Sequence, residues 1–278
     1  MKKLLYSIII ILLLTIIVLL YGRFIGVNGL ETKEYVIYNN KIDTSYDGLK
    51  IIHLSDLHYK KVITEKRVKE LIKEINQNNP DIVIISGDLL DKDYNLTADD
   101  INFLITELTK IESTYGTYAI PGDNDYLKTE TLKNIYIQSN ITLLDNNYSI
   151  IKNEHNIKIL ISGLNTYTYD EADITKTEEY LTTNKDLNYK ILIMHEPDYL
   201  DKININNFDL ILAGHSLNGS INIPIIRNLF LEKNAKKYNK EHYQINNTEI
   251  YISNGIGVSN LNFRINNTPS INVYRIRK

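Results

Sequence analysis

Cysteine and tryptophan are absent from this chain of 278 residues. The absence of cysteine excludes disulfide bonds, a thiolate nucleophile and Cys-ligated zinc. The chain also has no excess of positive charge, since 31 lysines and arginines stand against 34 aspartates and glutamates. With a net charge of -3, a nucleic-acid partner is not expected. Any metal ligands must therefore come from His, Asp, Glu or Asn.

The first 30 residues differ from the rest. Lys2 and Lys3 precede an uncharged and almost wholly aliphatic run over residues 4–21, close to the ~20 residues that cross a bilayer as a helix. We expect residues 1–30 to be a retained, single-pass membrane anchor with its N-terminus inside the cell and the body outside the cell membrane. A cleaved signal peptide is the alternative, although no A-x-A-like cleavage site precedes Glu31.

Residues 31–278 read as a single α/β domain, because apolar strands alternate with amphipathic helices and no linker rich in Pro, Gly or Ser interrupts them. Residues 64–77 predict a helix capped by Thr64, and residues 97–110 predict a second. The β-branched run 81–87 predicts a central strand covered on both faces. Two sheets packed together, with helices outside, are expected from the remaining predicted strands: 49–55, 117–120, 148–151, 157–162, 190–194, 209–213, 249–253 and 271–276.

Acidic and imidazole side chains follow five of these strands. They are Asp56 and His58, Asp88 after Gly87, the run Asp123, Asn124 and Asp125 after Gly122, His195, and His215. Ligands collect outside the carboxyl ends of strands in α/β sheets, so we expect these side chains to converge. Positions i and i+2 of an extended chain point the same way, which predicts that Asp56 and His58 can hold one ion together. Each residue taken alone also suits a turn, and His53, on the opposite face, is predicted to be a packed strand residue.

The order of motifs SDLH, SGDLLD, IPGDND, MHEPDY and AGHSLNGSINIP, over about residues 49–276, resembles the calcineurin-like metallophosphoesterase superfamily. The closing segment YISNGIGVSNLNFRINNTPSINVYRIR, together with the N-terminal anchor, resembles its membrane-anchored bacterial branch. The resemblance implies a four-layer αββα sandwich of two mixed sheets flanked by helices. It also implies two divalent metals that activate the attacking water. One or two ions are expected, with Mn²⁺ favoured and Mg²⁺, Fe or Zn²⁺ as alternatives.

The resemblance also assigns metal ligands. The first metal would take Asp56, His58 and Asp88. The second metal would take Asp88, which bridges the two ions, together with Asp123, His195 and His215.

Three departures from the family pattern stand out. Asp123 replaces an Asn and can still coordinate a hard cation. Asn124 replaces the His that resembles a general acid, and an amide cannot supply a proton at neutral pH; with Asp125 it marks the predicted catalytic positions. Leu217 replaces a second imidazole, so the first metal keeps three ligands, completed by water or Asn218. We therefore expect unequal sites, tight at the second metal and weak or vacant at the first.

The resulting prediction is a slow, metal-dependent phosphoesterase at the outer membrane face, acting on a phosphorylated small molecule or a lipid- or polymer-linked phosphate. The alternative is a catalytically degenerate, metal-dependent binding protein for a phosphorylated envelope ligand. The lysine-rich segment 230–243 is predicted to be a solvated loop, with contacts to lipid heads or substrate phosphate as the alternative. Tyr59 and Asp91 either line the substrate pocket or serve turn and packing roles.

Overall fold

The computed structural model describes residues 2–217, 219–223 and 227–278. A π-helical turn, Tyr21–Ile25, continues the first helix. The α-helices of this part of the chain are α1 Lys2–Leu20, α2 Glu65–Gln77, α3 Ala98–Leu108, α4 Thr129–Gln138 and α5 Thr175–Thr183. Short 3-10 helices are Thr44–Tyr46, Tyr126–Lys128, Pro197–Lys202, Ile205–Asn207 and Arg227–Phe230.

The strands build two six-stranded sheets, with orders β1-β12-β2-β3-β4-β5 and β10-β11-β9-β8-β7-β6. In the first, β2 to β5 are parallel and β12 is antiparallel to β2. In the second, β7, β8, β9 and β11 are parallel and the edges are antiparallel. The strands are β1 Glu31–Tyr38, β2 Lys50–Leu54, β3 Ile82–Ser86, β4 Thr117–Ile120, β5 Thr142–Leu143, β6 Asn147–Lys152, β7 Lys158–Gly163, β8 Leu187–Met194, β9 Leu210–Ala213, β10 His242–Ile245, β11 Thr248–Ile252 and β12 Ser270–Arg277.

Three apolar layers hold the sheets and helices together. The middle layer joins the two sheets, for example through Ile84 of β3 and Ile191 of β8. A second layer packs α2, α3 and α4 on the first sheet. The third covers the second sheet with α5 and 3-10 helices. The predicted αββα sandwich of two mixed sheets is confirmed.

Several local predictions are also confirmed. The Thr64 hydroxyl accepts the Arg67 N–H at 3.4 Å and caps α2, whose buried face is the predicted apolar stripe Val68, Leu71, Ile72 and Ile75. All five residues of β3 are buried between β2 and β4, as expected of a central strand.

The edge strands β1, β5 and β10 and the helices α4 and α5 were not predicted. In β1 only Ile37 is fully buried, and β10 alternates exposed with half-buried residues. The apolar pattern of these edges is therefore too weak to mark a strand, and pairing with β12 and β11 supplies the missing information.

The N-terminal helix differs from the others because none of its residues is buried. The segment Lys2–Ile25 is long and apolar enough to cross a membrane. Its end contacts the body: Gly22 and Val27 are buried, the Arg264 N–H donates to the Gly22 carbonyl at 3.0 Å, and Arg67 Nη1 donates to the Val27 carbonyl at 2.5 Å. The base of the apolar helix is thus fastened to the domain.

Candidate metal centre

The loops after β2, β3, β4, β8 and β9 meet at one end of the two sheets. Backbone hydrogen bonds hold them in place: the Asp56 N–H donates to Gly87 at 3.0 Å and the His58 N–H donates to Asp88 at 3.0 Å. The Gly214 N–H donates to the His195 carbonyl at 3.1 Å. The predicted convergence of strand ends therefore holds for both sheets.

The predicted reason for pairing Asp56 with His58 is wrong. β2 ends at Leu54, and both residues have left-handed backbone, with φ of 54° and 45°, so they are not i and i+2 of an extended strand. The turn geometry, rather than strand alternation, brings them together. Asp and His tolerate this region better than most residues.

The first candidate group contains Asp56, His58 and Asp88, all buried. His58 Nε2 lies 3.5 Å from Asp88 Oδ2 and 3.9 Å from Asp56 Oδ1. The other oxygen of Asp56 is already engaged, since it accepts the Ser55 hydroxyl and the His215 N–H. Oδ1 of Asp56 is left facing the centre without a hydrogen-bond partner among the described residues.

The second candidate group contains Asp88, Asp123, His195 and His215. His195 Nε2 lies 3.3 Å from both Asp88 Oδ2 and Asp123 Oδ1, and His215 Nδ1 lies 3.1 Å from Asp123 Oδ1. Asp88 Oδ2 belongs to both groups. The six predicted ligands thus form two groups that share one carboxylate.

The histidines are oriented by backbone carbonyls. His195 Nδ1 lies 2.7 Å from the Ser86 carbonyl, and His215 Nε2 lies 2.6 Å from the Lys233 carbonyl. A carbonyl can only accept, so these nitrogens carry the protons of the neutral rings. The opposite nitrogens then direct lone pairs at carboxylate oxygens. Lone pairs at such separations repel unless a positive charge lies between them.

The raised pKa values of His195 and His215 show that the centre attracts positive charge. Burial alone lowers the pKa of His195, but the carboxylates of Asp88, Asp123 and Asp56 raise it well above its usual value. For His215 burial is likewise outweighed by Asp123, and the pKa is raised to about 9. A divalent cation supplies the same compensation without protonating the rings. Imidazole and carboxylate donors fit this requirement, so the residues present fit a metal.

Asn124 and Asp125 lie beside the centre. Asn124 donates from its backbone N–H to Asp88 Oδ1 and from Nδ2 to Asp88 Oδ2, both at 2.8 Å. The Asp125 carboxylate accepts the N–H groups of Leu89, Leu90 and Gly122, at 3.3, 2.8 and 3.0 Å. Burial and the nearby Asp88 raise the pKa of Asp125 to about 7. Both side chains hold neighbouring loops at the metal centre.

Leu217 occupies the position where the family pattern has its second imidazole. The residue is 1% exposed and has left-handed backbone, with φ of 49°. Its side chain contributes no metal ligand. Asn218, the predicted substitute ligand, lies outside the described residues.

Three further side chains lie near the centre: Asp91, Glu232 and Arg264. Asp91 Oδ2 lies 3.2 Å from His58 Nδ1 and accepts Lys61 Nζ at 3.0 Å. This position suits a residue that orients a metal ligand, a role that differs from the two alternatives predicted for Asp91. Glu232 receives both hydrogen bonds of Asn260 Nδ2, at 2.9 and 2.7 Å. Burial raises the pKa of Glu232, with Asp123 and Asp56 close enough to contribute.

Arg264 is the third of these residues and is fully buried. It donates to the carbonyls of Gly255 and Gly257 at 2.6–3.1 Å, while its Nη1 has no partner among the described residues. Burial lowers its pKa to about 9, and Asp56 opposes that shift. Its only sequence signal is the placement of one arginine in an Asn-rich loop, which does not distinguish a buried cation from an exposed one.

The protein is an α/β protein with two stacked mixed sheets. The ends of their strands hold a buried cluster of histidines and carboxylates, which is a candidate metal centre. Comparison with known proteins makes this specific, because the calcineurin-like phosphoesterase profile matches residues 49–219. The chain therefore belongs to the calcineurin-like phosphoesterase family.

Individual relatives cover most of the chain. The chain is 28% identical over 259 residues to the "Uncharacterized metallophosphoesterase YkuE" of Bacillus subtilis (strain 168), covering 92% of this chain and 89% of that protein. It is 22% identical over 232 residues to the "Phosphodiesterase YaeI" of Escherichia coli (strain K12), covering 82% of each. Among solved structures, the calcineurin-like phosphoesterase YfkN from Bacillus subtilis aligns with a TM-score of 0.48 and 14% identity, covering 76% of this chain and 82% of that one.

Proposed function

We propose that the protein is a metal-dependent phosphoester hydrolase, tethered to the cell membrane by α1 with its body on the outer side. The observation that carries the proposal is the arrangement of His195, His215 and Asp123, whose lone pairs face each other at 3.1–3.3 Å. That arrangement requires a positive charge, which a divalent cation supplies without protonating the rings. Family membership supports a phosphoester as the substrate.

The chemistry that bound divalent cations supply at such a centre is to acidify water and to neutralise charge on phosphoryl oxygens. Asp56, His58 and Asp88 would hold one ion, and Asp88, Asp123, His195 and His215 the other. Asp91 orients His58, and the carbonyls of Ser86 and Lys233 orient His195 and His215. These contacts keep the ligands in place before metal binds.

The two ion sites are proposed to differ in affinity. The second group offers four side-chain ligands and the first offers three, because Leu217 supplies none. The second group mixes two carboxylates with two imidazoles, a donor set for which Mn²⁺ is the favoured candidate and Mg²⁺, Fe or Zn²⁺ are the alternatives. The first site is therefore expected to fill only at higher metal concentration.

The leaving group is proposed to depart without help from a side-chain acid at position 124. Asn124 Nδ2 can donate a hydrogen bond but no proton, and in the structure it donates to Asp88. Since general acid catalysis contributes about 10²–10⁴-fold, poor leaving groups should react slowly. Aryl phosphates, diesters of acidic alcohols and phosphoanhydrides are the preferred substrate classes, and the name of the Escherichia coli relative supports including diesters.

Membrane attachment is supported by α1, which is exposed and carries no charged residue after Lys3. Its first two residues are Lys2 and Lys3, which favours a cytoplasmic N-terminus. The substrate would then be met at the outer membrane face.

A second candidate function is a tethered binding protein that holds a phosphorylated envelope ligand through one metal. The loss of the imidazoles at positions 124 and 217 favours it, since both changes remove groups used in turnover or in the first metal site. Hydrolysis is preferred because the ligands of the second site are all present.

A leaving-group series separates the two candidates. The full chain, loaded with Mn²⁺ in detergent, would be assayed on aryl phosphates of graded phenol pKa, with bound metal measured on the same sample. Hydrolysis that falls steeply as the phenol pKa rises is expected, because no acid assists departure. Silence across the series with metal bound would support the binding protein instead.

A further inference from the structure

A large cleft lies between the end of the apolar helix and the loops of the metal centre. Its volume is about 950 Å³, near the upper end of the roughly 300–1,000 Å³ of small-molecule sites. Leu19 and Arg23 line it from the helix, and Lys61 and Asp93 line it from the loops after β2 and β3. The remaining lining residues are Tyr94, Ile221, Phe230, Asn260, Leu261, Asn262 and Phe263. We call this space the anchor cleft.

With α1 in the proposed membrane-spanning position, the outer part of the anchor cleft would lie near the bilayer surface. α1 has 19 residues, about 28 Å at 1.5 Å per residue, which matches a hydrocarbon core of about 30 Å. Leu19 is the penultimate residue of α1, and the apolar segment continues to Ile25, so Leu19 lies near the outer end of the proposed span. Leu261 lines the same cleft and is 51% exposed. Apolar walls open at this level face lipid rather than water.

The inner part of the anchor cleft is polar and adjoins the metal centre. Lys61 Nζ lies 3.0 Å from Asp91 Oδ2, and the same oxygen lies 3.2 Å from His58 Nδ1. One carboxylate therefore separates a cleft-lining lysine from a candidate metal ligand. Arg23 adds a second cation to the lining. Lys61 Nζ also lies 3.7 Å from Asp93 Oδ2, another lining residue. Arg23 is therefore the cation better placed to meet an anionic head group that approaches from the membrane.

The helix and the opposite wall of the cleft are held together by direct contacts. Arg23 Nη1 donates to the Asn262 carbonyl at 3.3 Å, and the Arg264 N–H donates to the Gly22 carbonyl at 3.0 Å. The ring of Phe263 lies against Gly22 so closely that an added methyl group would overlap it. These contacts fix the position of the helix end relative to the body, and they therefore define the shape of the cleft.

From these observations we propose that the anchor cleft binds the hydrocarbon chain of a membrane-resident amphiphile whose phosphorylated head group reaches the metal centre. The inference rests on the proposed function and narrows its substrate to a lipid-linked phosphate. A fully soluble phosphoester would use the cationic end and leave the apolar walls unused. A lipid without an exposed phosphate ester would contact the apolar walls but would make no stabilising interaction with the metal centre.

The absence of tryptophan from the chain allows a direct binding test. Leu261→Trp puts a single fluorescent reporter in the cleft of the full chain, reconstituted into phosphatidylcholine vesicles. Bromine atoms on acyl chains quench tryptophan on contact. A minor fraction of acyl-brominated phosphatidic acid is expected to quench this reporter more than the same fraction of acyl-brominated phosphatidylcholine. Ile137→Trp, at an exposed position of α4, is the matched control and should be quenched by neither lipid.

The possible results separate cleanly. Equal quenching by the two lipids means that ordinary bilayer lipid occupies the cleft and overturns the proposal, as does an absence of quenching. If brominated phosphatidic acid quenches the Ile137→Trp control as strongly as Leu261→Trp, the quenching is not specific to the cleft, and this result also overturns the proposal. Hydrolysis of a soluble aryl phosphate by the same samples tests the proposed function separately, so selective quenching without hydrolysis would retain the cleft assignment and reject the enzyme.

Selectivity in turnover gives a second readout. For Leu261→Glu, the ratio of kcat/KM on an isoprenyl diphosphate to kcat/KM on a soluble aryl phosphate is expected to fall by roughly 4- to 13-fold, since hydrocarbon would cover the exposed half of the Leu261 side chain. Ile137→Glu should keep the ratio of the unmodified chain. An unchanged ratio in Leu261→Glu would contradict the proposal.

Discussion

Left-handed backbone recurs at the residues of the metal centre. Asp56, His58, Asp88 and His215 have φ values of 54°, 45°, 56° and 62°. Aspartate and histidine accept this conformation more readily than most residues, and strain of this kind concentrates at functional sites. Leu217 shares it, with φ of 49°, although leucine gains nothing from it. The backbone at position 217 therefore suits an imidazole better than the side chain it carries.

Restoring both missing imidazoles tests what positions 124 and 217 contribute. Asn124→His with Leu217→His should raise hydrolysis of alkyl phosphates by about 10²–10⁴-fold, the range of a recovered general acid. Steady-state kinetics on the Mn²⁺-loaded chain would measure it. Leu217→His alone is the control, and it should tighten the first metal site without rescuing alkyl phosphates. No gain from the double variant would favour the binding protein.

The residues that converge on the centre could be predicted because each follows an apolar strand. Their orientation could not, since it depends on turns and on partners distant in sequence. His215 is directed by the carbonyl of Lys233, in a segment that reads as a solvated lysine-rich loop. Arg264 reads as one more loop cation, and only packing shows that it lies buried near Asp56.

Within the elements, β2 carries a buried histidine apart from the centre. His53 is fully buried, with Nε2 2.7 Å from the Ser86 hydroxyl, which confirms its predicted packing role. Burial lowers its pKa to about 3 from a usual 6.5. The unfolded chain therefore binds a proton at this residue between those values while the folded chain does not. Its stabilising contribution is complete above pH 6.5 and is lost as the pH falls toward 3.

His53→Gln should make the metal-free protein less sensitive to acid. The unfolding free energy of the unmodified chain should fall more steeply between pH 6.5 and pH 4, by up to about 1.4 kcal/mol per pH unit from this residue. Denaturant unfolding at several pH values would measure the slopes. His155→Gln changes a side chain that is 64% exposed and should leave the slope as it is. Equal slopes in the unmodified and His53→Gln chains would contradict the effect of burial.

The turn that ends the apolar helix is fitted to the body at Gly26. A methyl group there would overlap the carbonyl oxygen of Arg264, which is backbone and cannot swing aside. Gly26→Ala should lower the unfolding free energy of the full chain in detergent by about 1–3 kcal/mol, the usual cost of overpacking. Thermal unfolding would detect it.

Gly29→Ala provides the comparison, because its added methyl meets the side-chain Cγ2 of Thr268 at 2.8 Å, which can rotate. Its loss should be smaller. Equal losses in the two variants would show that the contact of Gly26 with Arg264 does not fix the helix.

Elements with strong apolar patterns, such as α2 and β3, could be predicted from sequence, whereas β1 and β10 could not. Edge strands bury few residues, so their pairing is decided by the neighbouring strand. α4 carries only Leu132, Ile135 and Tyr136 on its buried face, a stripe too short to stand out beside the metal-site loop that precedes it.

At the scale of the whole molecule, the two sheets bring ligands from both halves of the chain to one end of the sandwich. Asp56, His58, Asp88 and Asp123 come from the first sheet, and His195 and His215 come from the second. The apolar helix is fastened beside the same end through Gly22 and Arg264. In the proposed membrane-anchored form, a membrane surface and the candidate metal centre would lie next to each other, which is the basis for proposing a lipid-linked phosphate in the anchor cleft.

Counting Mn²⁺ ions bound by the full chain at graded free metal tests the centre most directly. Equilibrium dialysis with elemental analysis should find one tightly held ion that is lost in Asp123→Ala. A second, weaker ion should be lost in His58→Ala while the tight one remains. Two ions of equal affinity would contradict unequal sites, and no bound ion at any concentration would contradict the metal centre itself.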